Sequence, residues 1–384
     1  MKCEDLWGIL KKKGLTFFTG VPDSTFNDWM RFLADNHGRG LHNIIACNEC
    51  EAVAIAAGRY LATGSLAVVY MQNAGLGKAV NPLTSLADPE VYSIPMVLMI
   101  GWRGEPGKKD EPQHRKMGRI TLPLLEVLEV PYAHLPRDSG EAAGLIKEAV
   151  SCALERKTPY ALIVKRDTFE HYDSTTIDKR KCTMTREEAI TVLLDNLRGD
   201  ELIVSTTGKT SREVFEYRES RGQGHQSDFL TVGSMGCSAS IALGLALGKE
   251  NRRAVVLDGD GAVIMQEGAL STIGHYLPPN LYHVVFDNHS YDSTGGQPTT
   301  SPTVSFERLA LANNYRGAAT VENREDLDRA CREMLSADGP RMLIVRVKKG
   351  ARKDLGRPTT TPIENKEAFM SDLQGGDGAD RIRR

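Results

Sequence analysis

One stretch constrains the fold more than any other: residues 255–297, VVLDGDGAVIMQEGALSTIGHYLPPNLYHVVFDNHSYDSTGGQ. It opens on a short valine-rich run, 254–257, the pattern of a buried parallel strand. Asp258-Gly259-Asp260-Gly261 follows, and such glycines let backbone come close to a bulky ligand. A helical pattern spans 262–276 and is stopped by Pro278-Pro279. A second buried strand, 281–286, delivers Asp287-Asn288 at its carboxyl end. Asp260 and Asn288, 28 positions apart, are therefore expected at the tips of two strands joined by a helix. Open parallel sheets bind ligands at those tips. A carboxylate and an amide oxygen are hard ligands suited to Mg²⁺, which keeps waters and takes its remaining ligands from phosphates.

The same alternation of strand and helix fills the rest of the chain. Its 384 residues are too many for one ordinary core, so two domains are expected. The first carries candidate strands at 16–19, 43–47, 66–71, 96–100 and 161–165, with a helix at 49–62. The second carries strands at 202–205, 229–232, 254–257, 281–286 and 342–347. Its helices are expected at 211–218, 238–247, 262–276, 305–312 and 324–335. The fold class is α/β, with two doubly wound parallel-sheet domains. The domains are expected at 1–170 and 186–365, around a polar linker at 171–185 and before a loose tail at 366–384.

Glycine, aspartate, helix, strand and asparagine in this order resemble the signature of thiamine-diphosphate enzymes. The resemblance implies that thiamine diphosphate and Mg²⁺ are cofactors. It makes Asp260, Asn288 and the Ser290 carbonyl the metal ligands, with Gly259, Gly261 and Ala262 against the diphosphate. It implies two domains of pyrimidine-binding and diphosphate-binding type, with no room for a middle domain between Asp167 and Arg186. Glu49 matches a second element of the family, an acid opening an alanine-rich helix with Gly58 nine positions on. There such a glutamate bonds N1′ of the aminopyrimidine and activates the thiazolium ring. A glutamate in a first helical turn is also favoured by the macrodipole alone. Glu51 is the poorer candidate, since it projects from another face.

Other motifs carry weaker signals. Cys47 and Cys50 make a CxxC around Glu49, but no second pair exists to complete a zinc site. Gly208-Lys209-Thr210 suggests a P-loop, yet position 203 is Ile where a glycine is required. The resemblance instead assigns Gly208 and Lys209 to the diphosphate, at a helix N-terminus. It gives Met235 the wedge that bends the cofactor and Gly233 a carbonyl toward its amino group. Met235 could equally be a methionine filling a buried turn.

Three loops bear on the substrate: Gly20–Thr25, residues 101–115 and residues 292–298. Residues 103–119 hold six Lys/Arg against three Asp/Glu, a balance that suits a multiply anionic ligand. With STTGKTSRE and MQNAGLG, these loops resemble the phosphonopyruvate decarboxylase family and its sister, the sulfopyruvate decarboxylases. The resemblance implies a small anionic 2-oxo acid as substrate, bound by Asp23, Ser24, Arg103 and Lys108, with His114 beside Glu49 in catalysis. The tandem His-His pair of many relatives is missing, so the proton donor is left open. The family further implies a homodimer or homotetramer with active sites between subunits.

A net charge of −2 argues against nucleic acid as a partner. No 18-residue apolar run suggests a membrane span, and the N-terminus has no signal core. Seven scattered cysteines suit reduced thiols, so a cytoplasmic location is expected. The competing class is a nucleotide-binding α/β protein using GDG and GKT as phosphate sites, a reading that leaves Glu49 without a task.

Overall fold

Runs such as Tyr160–Val164 and Val97–Gly101 are buried along their whole length, so they form central parallel strands rather than half-exposed ones. The computed structural model describes residues 1–174 and 182–380, so part of the expected linker, 175–181, lies outside the described residues. The chain divides into two units, Met1–Ile177 with Tyr291–Pro298 and Asp178–Ser290 with Thr299–Arg384.

In the first unit β1 (Phe17–Gly20), β2 (His42–Ile45), β3 (Val68–Gln72), β4 (Val97–Gly101), β5 (Tyr132–His134) and β6 (Tyr160–Val164) form one parallel sheet. Their order is β2-β1-β3-β4-β6-β5. Alternate residues feed two cores. Val68, Tyr70, Val97 and Met99 enter one, while Val69, Met71, Leu98 and Ile100 enter the other. Helices therefore cover both faces.

The second unit holds β7 (Leu202–Ser205), β8 (Asp228–Leu230), β9 (Ala254–Gly259) and β10 (Leu281–Asp287). A short ribbon follows, β11 (Ser290–Tyr291) with β12 (Gln297–Pro298), before β13 (Gly317–Val321) and β14 (Arg341–Arg346). The large sheet has the order β13-β14-β10-β9-β7-β8 and is parallel throughout. Numbered within its own unit, each sheet reads 2-1-3-4-6-5 in the first and, with the ribbon left out, 5-6-4-3-1-2 in the second. The two orders are the same sequence read from opposite edges. Each thus reverses direction beside its first strand, where doubly wound sheets bind ligands.

The structure corrects two expectations. The helix expected at 262–276 is two, Asp260–Met265 and Gly268–Tyr276. Gly268 is a poor helix former, and the turn at Gly236 packs against Gln266 where the helix breaks. The tail from 366 is not loose throughout. A helix spans Pro362–Asp380, Phe369 and Asn365 are buried, and Asp372 pairs with Arg252 at 2.7 Å. One buried aromatic and one ion pair anchor a segment whose composition lacks apolar periodicity. Two edge strands, β5 and β13, were not legible because their residues are half exposed and form no apolar run. No helix among the described residues is long and apolar enough to cross a membrane.

Candidate active site

The candidate residues sit at or beyond the carboxyl ends of strands. In the first unit, β2 leads to Asn48, whose side chain caps the helix Glu49–Thr63 by accepting from Glu51 N at 3.0 Å. Glu51 reciprocates: its carboxylate accepts from Cys47 N at 2.6 Å. That spends Glu51 on the cap and leaves Glu49 for other work. A first-turn glutamate that only serves the macrodipole is normally solvated, yet Glu49 is 7% exposed. Its Oε2 is buried without a partner. Burial pushes its carboxyl above the usual range, and a bond from its own backbone N–H and the charge of Lys78 pull only partly back. Gly75 makes the room, since a Cβ there would overlap the Glu49 carboxyl group.

The turn holding Gly75 also organises the loop after β4. Asn73 is wholly buried. Its amide donates to Arg103 O at 2.8 Å and accepts from Arg103 N at 3.2 Å, and it also donates to Thr121 at 2.9 Å. Arg103 grips Asp110 with two bonds, Nε to Oδ2 at 2.9 Å and Nη2 to Oδ1 at 2.5 Å. Its Nη1 donates to Ser24 Oγ at 2.8 Å. Asp23 is fully buried, accepts from Gln72 at 2.6 Å and leaves Oδ2 unpartnered beside Gly101. Burial raises its carboxyl, against the pull of Gln72, Thr25 and Arg103. His114 is buried with Nδ1 unpartnered. Burial, helped by the Arg103 charge, holds its imidazole down at about 4, so it is neutral at pH 7. Asp23, Ser24, Arg103 and His114 are thus brought together. Lys108 stands apart on the exposed part of its loop.

In the second unit β7 is followed by Thr206-Thr207-Gly208. Gly208 has φ 101°, a conformation that favours glycine, and opens the helix Lys209–Arg221. Thr207 Oγ1 accepts from Gly233 N at 2.9 Å, tying this turn to the one after β8. Gly233, Ser234 and Gly236 all take left-handed φ, and half-buried Met235 projects from that turn. The hydroxyls of Thr206 and Ser238 are buried without partners, and exposed helix N–H groups beside such donors suit an anion.

Asp260 opens a helix directly after β9, with Gly259 before it and Gly261 and Ala262 behind. It is 2% exposed. Burial, with Asp287 nearby, lifts its carboxyl to about 7 against the pull of Thr299 and Ser301. Thr299 Oγ1 donates to it at 2.5 Å. A hydroxyl chain continues from Thr299 to Ser301 at 3.1 Å and on to Asp287 at 2.9 Å. After β10, Asn288 is buried and its Oδ1 accepts from Ser290 N at 2.9 Å. A buried carboxyl lifted this far, beside the Thr299 and Ser301 hydroxyls and the Asp287 carboxylate, fits a divalent cation, whose charge would hold it ionised. The residues present therefore fit Mg²⁺ and a diphosphate.

Sequence reasoning missed Gln72, Asn73, Gly75, Asp110, Thr299 and Ser301. The first three stand in the MQNAGLG segment, which gives no hint of which side chains face the tips.

Two α/β units with these tips define a thiamine pyrophosphate enzyme. Residues 3–120 match the thiamine pyrophosphate enzyme N-terminal TPP binding domain, and residues 206–345 match the C-terminal TPP binding domain. A phosphonopyruvate decarboxylase of Streptomyces viridochromogenes is 37% identical, over 96% of this chain and 94% of that protein. One from Streptomyces hygroscopicus is 35% identical over 96% and 93%. A sulfopyruvate decarboxylase of Methanosarcina acetivorans is 28% identical over 85% and 86%. The chain belongs to the phosphonopyruvate decarboxylase family of thiamine pyrophosphate enzymes.

Proposed function

We propose that this chain decarboxylates 3-phosphonopyruvate to phosphonoacetaldehyde and CO₂, in phosphonate biosynthesis in the cytoplasm. Thiamine diphosphate supplies an electron sink for the carboxylate's electrons when bound. Asp260, Asn288 and the Ser290 carbonyl hold Mg²⁺; Gly208 and Lys209 contact the diphosphate with Gly259, Gly261 and Ala262. Met235 and Gly233 orient the pyrimidine, and Glu49 holds a proton against its N1′. Ser24 and Arg103 bind the phosphonate, with Asp23 behind Ser24 and Lys108 at the rim. His114, kept neutral, accepts a hydrogen bond or proton next to the carboxylate.

One observation carries the catalytic reading: Glu49 is a buried acid with Oε2 unpartnered, facing a glycine that gives it space. A protein that only bound phosphates would have no use for it. The family resemblance adds a homodimer or a pair of dimers with active sites between subunits, the commonest closed arrangement of soluble oligomers.

The test measures kcat/KM for phosphonopyruvate, sulfopyruvate and pyruvate with cofactor and Mg²⁺ supplied. Phosphonopyruvate should lead. A preference for sulfopyruvate would transfer the reading to the sister activity, because an Arg–Ser pair can donate to either oxyanion. Glu49→Gln should bind cofactor yet release CO₂ very slowly, and normal turnover in it would refute the assigned role.

A further inference from the structure

A doubly charged substrate arm demands more positive charge than Arg103 has to offer. Its guanidinium is matched by Asp110 in a two-bond pair, with side chains 16% and 6% exposed. Glu111 stands close enough to favour the charged form of Arg103 further. Arg103 alone is therefore outnumbered by carboxylates, and a dianionic group approaching its free edge would meet net negative charge.

A second guanidinium restores the balance. Arg166 follows β6, the strand next to β4, and so reaches the same carboxyl ends. Its Nη2 lies 3.7 Å from Asp110 Oδ2, with the Arg166 side chain 59% exposed. Its backbone is fixed: Arg137 Nη2 donates to Arg166 O at 3.1 Å, and Asp167 turns the chain with φ 60°. The field of Arg166 also reaches His114, where it adds to that of Arg103 in disfavouring the charged imidazole. The neighbouring Lys165 is engaged elsewhere, with Glu105 at 2.9 Å and over the Trp102 ring.

We propose that Arg166 is a specificity-determining residue, the second cation that lets the Ser24–Arg103–Asp110 cluster accept a dianionic phosphonate arm. The proposal rests on the substrate reading above. Arg103 supplies directed hydrogen bonds through a geometry locked by Asp110 and Asn73. Arg166, exposed and single-sided, supplies charge. Pyruvate, with a hydrogen in place of the phosphonate, gains nothing from it.

The experiment compares the holoenzyme with Arg166→Gln and Arg166→Lys on phosphonopyruvate and on pyruvate. Arg166→Gln should raise KM for phosphonopyruvate roughly tenfold, leave its kcat within about twofold, and leave kcat/KM for pyruvate unchanged. Arg166→Lys should recover most of the loss. Phosphonoacetate, which carries the same arm but does not react, should bind about tenfold more weakly to Arg166→Gln by calorimetry. Raising ionic strength from about 0.05 to about 0.5 M should weaken that binding more in the native chain than in Arg166→Gln. An unchanged substrate ratio, or equal losses on both substrates, overturns the proposal. If the native holoenzyme turns over no phosphonopyruvate, the substrate reading falls and takes this inference with it. If it does and the ratio stays fixed, only the Arg166 role falls.

Discussion

Gly75→Ala isolates the placement of Glu49 from its chemistry. Gly75 has φ −70° and ψ −20°, a backbone that alanine adopts freely. The substitution would therefore stabilise slightly, by about 0.4–1 kcal/mol through the unfolded chain, if space allowed. Space does not allow it. The new Cβ would stand 2.5 Å from Glu49 Cγ and 2.6 Å from Cδ, where ordinary contacts begin at 3.4 Å. The carboxyl group must withdraw by about 0.8–1 Å. Because it is the end of a flexible side chain, it can do so without unfolding anything, and the net change in stability should stay within about 1 kcal/mol.

Activity is another matter. A displacement of about 1 Å at a reacting group costs on the order of 100-fold, or about 2.7 kcal/mol of barrier. Gly75→Ala should therefore lose about 100-fold in kcat with a near-native Tm and near-native cofactor affinity. The decisive assay is a cycle with Glu49→Gln. If the glycine acts only through the acid, the double variant should be no slower than Glu49→Gln alone. Native kcat in Gly75→Ala would refute the reasoning, and so would losses that multiply in the double variant.

His114 gives a pH prediction. Its folded value of about 4 lies below the ordinary 6.5, so between these values the unfolded chain holds a proton that the native chain lacks. Stability from this group is thus complete above about 6.5 and is lost as pH falls toward 4. His114→Gln should flatten that part of a Tm-versus-pH curve, and an unchanged slope would deny the shift. Gly118→Ala should destabilise by about 1–3 kcal/mol despite better helix propensity, because its Cβ would strike the Gly104 carbonyl; urea melts check this. Asp260→Ala should abolish the Mg²⁺-dependent rise in Tm on adding cofactor while leaving the unliganded chain no less stable, since it removes a costly buried carboxyl; a retained rise would reject the ligand assignment.

Legibility in the sequence tracked how local each signal is. The strand tips bearing Asp260 and Asn288 stood out because buried strands are continuous apolar runs, one closed by Gly-Asp-Gly and the other by Asp-Asn. Glu49 stood out because it opens an alanine-rich helix after such a run. Pairings across loops left no mark. Asp110 lies seven residues beyond Arg103 in an irregular segment, and no periodicity says that one grips the other. Thr299 reaches Asp260 across 39 positions from the end of a ribbon. Asn73 was visible in its segment, but that its amide pairs with the Arg103 backbone depends on how β3 and β4 align.

Two buried acids in sheets of matching strand order are surrounded by different groups, and those groups suit the different roles proposed for them. Burial raises both Glu49 and Asp260. Around Glu49, a bare glycine faces the carboxyl and Oε2 has no donor, so burial raises its proton affinity with little to oppose it. In the role proposed for it, such an acid would hold a proton against a ring nitrogen of the cofactor, with few charged neighbours to reorganise. Around Asp260, hydroxyls from Thr299 and Ser301 already favour the ionised form, while Asp287 opposes it. A divalent cation would resolve that conflict, because two nearby carboxylates and several oxygen donors gain more from its charge than from one proton. Exchanging the surroundings, not the acids, would exchange the roles: hydroxyl donors placed beside Glu49 should lower its proton affinity and slow turnover even with its carboxyl group in the native position.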